Sequence, residues 1–160
     1  MNCKLRKVCE RDKDLLYRWV NDPGCRKNSF HRNLISYKEH CDWFADKLSS
    51  DICDMYLYCE QGKPIGQIRI DWEEETGYIS YSVISECRGQ GHGSNMLYLA
   101  EQEIQGKEKV LIGCVKKDNI ASQVAFKKNG YKETEENDCY RYCKKIREMR
   151  YSLNGGGAGL

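Results

Sequence analysis

The stretch Val83-Ile84-Ser85-Glu86-Cys87-Arg88-Gly89-Gln90-Gly91-His92-Gly93-Ser94 decides how this chain is read. An apolar strand end runs straight into three glycines at alternating positions, and a helix-compatible run from Ser94 to Gln105, closed by Gly106, follows at once. Glycines let main-chain N–H groups converge without Cβ interference, and a helix N-terminus adds partial positive charge. Strand, glycine turn and helix start therefore predict a cradle for a phosphate.

Upstream, short spacings give an antiparallel meander. Its strands run from Asp54 to Glu60, Ile65 to Trp72 and Tyr78 to Ile84, joined by turns at 61–64 and 73–77. Earlier still, Lys4 to Val8 alternates as a strand. Asp12 stands as the cap of a helix with Leu15, Leu16, Trp19 and Val20 inward, which Asn21-Asp22-Pro23-Gly24 stops. Residues 25–35 read as an irregular polar loop. Ser36-Tyr37-Lys38-Glu39 is a capping box for a helix that buries Tyr37, Cys41, Phe44 and Leu48.

Downstream, the helix after the glycines turns Met96, Leu97, Ala100 and Ile104 inward. Lys109 to Val115 is nearly all apolar and so a central strand. Asn119 to Lys128 is a helix ended by Asn129-Gly130, and strands at 131–133 and 139–146 complete the pattern. The order β-α-α-β-β-β-α-β-α-β-β predicts an α+β domain, a mixed and mostly antiparallel sheet flanked by helices. Residues 1–150 are expected to form one domain and 151–160 a flexible Gly-rich tail.

The 160 residues carry a net charge of +2 with acids and bases interleaved. No basic run calls for nucleic acid, and no apolar stretch is long enough to span a membrane. No apolar leader follows Met1, so a cytoplasmic location is the expectation. Ten cysteines are scattered with no C-x-x-C pair. Those in apolar stretches, such as Cys59 and Cys114, read as small hydrophobes. With three dispersed histidines they supply no zinc spacing, so no metal is expected.

Two familiar phosphate signatures fit the turn poorly. A P-loop needs Gly-Lys followed by Ser or Thr, and a dinucleotide fold needs G-x-G-x-x-G in its first βα unit. Arg88-Gly89-Gln90-Gly91-His92-Gly93 instead matches R-x-x-G-x-G between a fourth strand and the next helix. In this the chain resembles the GNAT N-acetyltransferases, whose turn holds the pyrophosphate of acetyl-CoA. Asn119-Ile120-Ala121-Ser122, followed by Phe126 to Tyr131, is similar to that family's later motif. The resemblance covers roughly residues 4 to 146. It implies acetyl-CoA as co-substrate, held by Val83, Ile84, Arg88, Gly89, Gln90, Gly91, His92, Gly93, Ser94, Asn119, Ser122 and Phe126.

Acetyl transfer from a thioester needs a neutral amine, a stabilised oxyanion and a proton for the leaving thiolate. Many relatives place a tyrosine acid four residues before the final glycine, where this chain has Phe126. Alternation puts Tyr78, Ser80 and Ser82 on one face, expected to line the reacting cleft. Tyr78, Ser82 and Glu75 are the catalytic candidates, with Glu75 the nearest base.

Asn21-Asp22-Pro23-Gly24, Arg26-Lys27-Asn28-Ser29-Phe30-His31 and Trp43-Phe44 resemble one subgroup, the UDP-4-amino-sugar N-acetyltransferases of pseudaminic acid synthesis. The implied acceptor is a UDP-linked amino sugar. Asn28, Ser29 and His31 offer hydrogen bonds, Phe30 and Trp43 ring faces, and Arg69 (with Arg26 and Lys27) charge for a diphosphate. A peptide N-acetyltransferase and a non-catalytic CoA-binding module are the alternatives. Self-association into a homodimer is left open.

Overall fold

The computed structural model describes residues 2–104 and 108–147. Gly106 and the Gly-rich tail lie outside the described residues. Seven strands form one sheet in the order β1-β2-β3-β4-β5-β7-β6. They are β1 (Cys3–Lys7), β2 (Cys53–Glu60), β3 (Lys63–Glu73), β4 (Thr76–Val83), β5 (Lys109–Lys116), β6 (Lys132–Glu135) and β7 (Cys139–Ile146). Every neighbouring pair is antiparallel except β4 with β5. The helices are α1 (Lys13–Val20), α2 (Pro23–Asn28), α3 (Tyr37–Leu48), α4 (His92–Glu103) and α5 (Ile120–Lys128).

Strand alternation divides the core between two faces. Tyr56, Tyr58, Ile68, Ile70 and Leu111 pack with Met96, Leu97 and Ala100 of α4 and with Ala125 and Phe126 of α5. Met55, Leu57 and Cys59 turn the other way and meet Leu16 of α1 and Phe44 of α3. The two faces are called here the α4/α5 face and the α1/α3 face.

Four local readings change. Asp22 accepts from the Cys25 N–H at 3.0 Å and Pro23 stands first in the helix, so 23–28 forms α2 rather than loop. Asp-Pro stops one helix but is also a helix start. Asp12 does not cap α1 with its side chain. Its buried carboxylate takes both Arg6 guanidinium nitrogens at 2.8 Å, tying β1 to the turn before α1. The inward stripe of α3 centres on His40 and Phe44, while Tyr37 is exposed and donates to Asp14 at 2.7 Å. Cys114 is exposed, not a core thiol.

Candidate active site

The sheet opens at its one parallel junction. β4 pairs with β5 only from Thr76–Val110 to Ile79–Gly113. β4 stays on β3 as far as Val83, and β5 stays on β7 as far as Lys116. Ser80–Val83 and Cys114–Lys116 therefore flank a fork. In an antiparallel ladder one residue sends both backbone groups to the same neighbour, and the next sends its groups the other way. The Ile84 N–H bonds Ile65 O on β3 at 3.0 Å. By alternation, Tyr81 and Val83 aim their backbone groups at the opening.

At the wide end of the fork sits the glycine turn. Gly89 and Gly91 have φ of +75° and +83°, left-handed values that suit glycine. Gly91 caps α4, and the first amide to bond back along the helix is that of Asn95, to Gly91 O at 3.2 Å. The N–H groups of His92, Gly93 and Ser94 are left at the positive end of a twelve-residue helix. Several unpaired amides around two left-handed glycines fit a diphosphate.

The side chains of the turn do other work. Arg88 donates to Val83 O at 2.9 Å and to Asp22 at 2.6 Å, so it staples β4 and the α1–α2 junction to the turn. Gly24 makes room for this, since a Cβ there would overlap Arg88 Nη1. Hydrogen bonding from the Arg88 guanidinium holds the Asp22 carboxyl below its ordinary value. His92 is 3% exposed and its Nδ1 lies 3.2 Å from the Tyr58 hydroxyl, so its ring is turned into the α4/α5 face. Ser94 accepts from Asn129, and Gln90 donates to Glu86 O. Of the predicted ligands, Arg88, His92 and Ser94 thus bring backbone rather than side chain to the turn. Ile84 faces β3 rather than the fork.

Above the α4/α5 side of the fork, Asn119 caps α5 through the Ser122 N–H at 3.3 Å and donates to Ser122 Oγ at 3.1 Å. Tyr81 donates to the same Oγ at 3.0 Å. Burial pushes the Tyr81 phenol up, so it stays protonated. Tyr81 lies between Ser80 and Ser82 and so faces the opposite side of β4 from the predicted row. Phe126 lies beneath, 2% exposed, stacked on Tyr142 at 5.1 Å and pressed against Gly113, where any Cβ would overlap its ring. Phe126 is core, not a cofactor surface.

On the α1/α3 side, register sets Tyr78, Ser80 and Ser82 opposite Asp71, Arg69 and Gln67. Gln67 donates to Ser82 Oγ at 3.2 Å, and Tyr78 is exposed beside the last β4–β5 pair. Arg69 lies 5.1 Å over the Trp43 ring and bonds Asp71 at 2.7 Å. Lys116 reaches the Lys27 carbonyl at 3.1 Å and stands 6.0 Å over Phe30, which is 52% exposed. Asn28 and His31 are exposed nearby in sequence. Tyr78, Arg69 and Trp43 are thus brought together, and Phe30 is joined to β5 through Lys116.

Three candidates fall elsewhere. Glu75 sits in the β3–β4 turn, at the closed end of the fork, in an ion pair with Lys109 at 2.5 Å. Ile79 lies four positions further on, roughly 13 Å of strand. Ser29 is consumed by its own loop, donating to Cys25 O at 2.7 Å and accepting from Arg26. Arg26 itself donates to the Val20 and His31 carbonyls, which makes it a scaffold for residues 20–33. His40 is a buried strut whose Nε2 lies 2.8 Å from Lys13 O.

A forked mixed sheet with a glycine turn at the helix end of its fourth strand is an acetyltransferase fold. A family profile described as "Acetyltransferase (GNAT) domain" matches residues 2–132. The chain belongs to that family. It is similar in structure to spermidine N-acetyltransferase from Vibrio cholerae, solved with CoA and spermine. That match has TM-score 0.77 and 13% identity, over 90% of this chain and 95% of the other. An aminoglycoside acetyltransferase in complex with coenzyme A matches at TM-score 0.74 and 15% identity, over 89% and 94%. RimL, a ribosomal L7/L12 α-N-protein acetyltransferase in complex with CoA, matches at TM-score 0.72 and 19% identity, over 90% and 94%. By sequence, no curated protein matches the chain.

Proposed function

We propose that this chain transfers the acetyl group of acetyl-CoA to the amine of a UDP-linked amino sugar, by direct attack in a ternary complex. The observation that carries the acceptor class is the α1/α3 side of the fork. Its rings, Phe30 and Trp43, each lie under a cation, Lys116 and Arg69. Aromatic faces under cations suit a base or sugar ring bearing a diphosphate. The same cations repel polyamines and aminoglycosides, the molecules named for the Vibrio enzyme and the aminoglycoside acetyltransferase.

Acetyl-CoA supplies the activated acyl thioester. The amides of residues 89–94 hold its diphosphate, and the backbone groups left open at Tyr81 and the Val83 N–H receive its arm, the Val83 carbonyl being taken by Arg88. The Ser122 hydroxyl, which accepts from Tyr81 and Asn119, keeps its own O–H free to donate to the leaving thiolate, and the proton the attacking amine loses replaces the one it gives. Tyr78 and Ser82 line the amine side, where Tyr78 replaces Glu75 as the group nearest the apex of the fork.

Thiol release from acetyl-CoA, followed with a UDP-4-amino sugar, spermidine, kanamycin and a short peptide, tests the reading. Release with the nucleotide sugar alone is the expected result. Release only with the peptide or the polycations overturns the acceptor. CoA binding without release to any amine would leave a binding module.

A further inference from the structure

The outer edge of the sheet carries a cluster that no chain spacing announces. Register sets Cys3 of β1 directly opposite Glu60 of β2. Direct cross-strand partners share a face, here the α4/α5 face, since Tyr58 two residues away packs into that core. His92, first residue of α4, closes over them. One donor atom from each of Cys3, Glu60 and His92 lies within 4.8 Å of the other two.

Two features make this more than a chance meeting. His92 is almost wholly buried, and its ring is held by the Tyr58 hydroxyl, which also accepts from Asn95 Nδ2 at 2.8 Å. Second partners of this kind fix the orientation of a ligating imidazole. The Glu60 carboxylate is half-buried, yet no ion pair or side-chain hydrogen bond satisfies it among the described residues. A carboxylate that faces a thiol and an imidazole, with no cationic side chain paired to it, is left free to take a metal ion.

We propose that Cys3, Glu60 and His92 bind one divalent cation of the zinc class, with water in the fourth position. Sulfur, imidazole nitrogen and carboxylate oxygen are the donors such ions take, in contrast to the all-oxygen sets of magnesium and calcium. Zinc needs donors at roughly 2.0–2.3 Å, so Cys3 and Glu60 draw inward on binding. The Cys3 thiol gives up its proton to solvent as the sulfur–metal bond forms, so affinity weakens as pH is lowered. Because His92 stands between Gly91 and Gly93, the ion pins the glycine turn to the sheet edge. The inference is independent of the acceptor assignment.

The test uses the whole chain, reduced and stripped with a chelator, titrated with Co²⁺ and then Zn²⁺. Expected are one equivalent of Co²⁺ with a thiolate-to-cobalt absorption band, displacement by Zn²⁺, and a raised Tm with Zn²⁺. Cys3→Ser, confirmed folded by circular dichroism, is expected to lose the band and weaken binding by about 100-fold or more. Cys143→Ser on β7 should bind as the parent does. His92→Gln tests the third ligand, and if it does not fold the Cys3→Ser result decides. No stoichiometric uptake, or uptake that survives Cys3→Ser, overturns the proposal.

Discussion

At the residue scale, Phe126 explains why a familiar acid is missing. Its ring tip lies against Gly113 and its face on Tyr142, which leaves no room for a hydroxyl beyond Cζ. Phe126→Tyr is expected to cost about 1–3 kcal/mol in urea unfolding, because the added hydroxyl is buried without a partner. Its rate of thiol release should not rise, and a faster variant would move the acid role away from Ser122. The Asp22–Arg88 pair is a second residue-level device, joining the acceptor half to the cofactor turn across 66 positions. Asp22→Asn and Arg88→Gln should each weaken CoA binding, and the double variant should be no worse than either alone. Additive losses by calorimetry would mean the two act separately. Neither feature was legible in the chain order. The motif marked Arg88 by its spacing, but spacing carries no information on which distant carboxylate a guanidinium meets.

Elements were far more legible than their side-chain partners. Period-two alternation and glycine-containing turns placed the meander of β2, β3 and β4, and the Ser36 capping box placed α3. Both depend on residues close in sequence, so local chemistry decides them. α2 was missed because Asp22-Pro23 ends one helix and begins another within two residues. Asp12 stands at the N-cap position of α1 as expected, but its carboxylate goes to Arg6 of another element, β1, instead of to the helix. That pair gives a pH prediction. Hydrogen bonding from Arg6 lowers the Asp12 carboxyl below its ordinary value, so the unfolded chain binds its proton first as pH falls. The contribution is present above the unfolded value, about 3.9, and is lost as pH drops through the lower folded one. Asp12→Asn should cost about 1–3 kcal/mol at pH 7, less than a fully buried pair because Arg6 is part-exposed. The gap from the parent should close below about pH 4 in urea titrations. A gap that does not narrow at all as pH falls below about 4 would show that the loss comes from packing.

For the whole molecule, the decisive feature is that one parallel pair interrupts an antiparallel sheet and then parts. The sequence implied the junction, since a strand, a helix and a central apolar strand in succession call for a parallel crossover. It did not reveal where the pairing stops, because that depends on how α5 and Phe126 wedge beneath β5. The fork and the turn together predict how CoA should act on the folded chain. A ligand held at 100 times its Kd adds about 2.7 kcal/mol to stability, which for a domain of this size is a Tm rise of about 5–10 °C. Hydrogen exchange should slow at residues 89–94 and at Tyr81 and Val83, whose amides lack backbone partners, and not at the β1–β2 edge. Gly91→Asp sets a carboxylate among the same amides and forces a side chain onto a left-handed backbone. The space around Gly91 is open, so the variant can fold at a modest loss in stability. It should show neither the Tm rise nor the slowed exchange. A folded Gly91→Asp chain that CoA still stabilises would place the diphosphate somewhere other than the glycine turn.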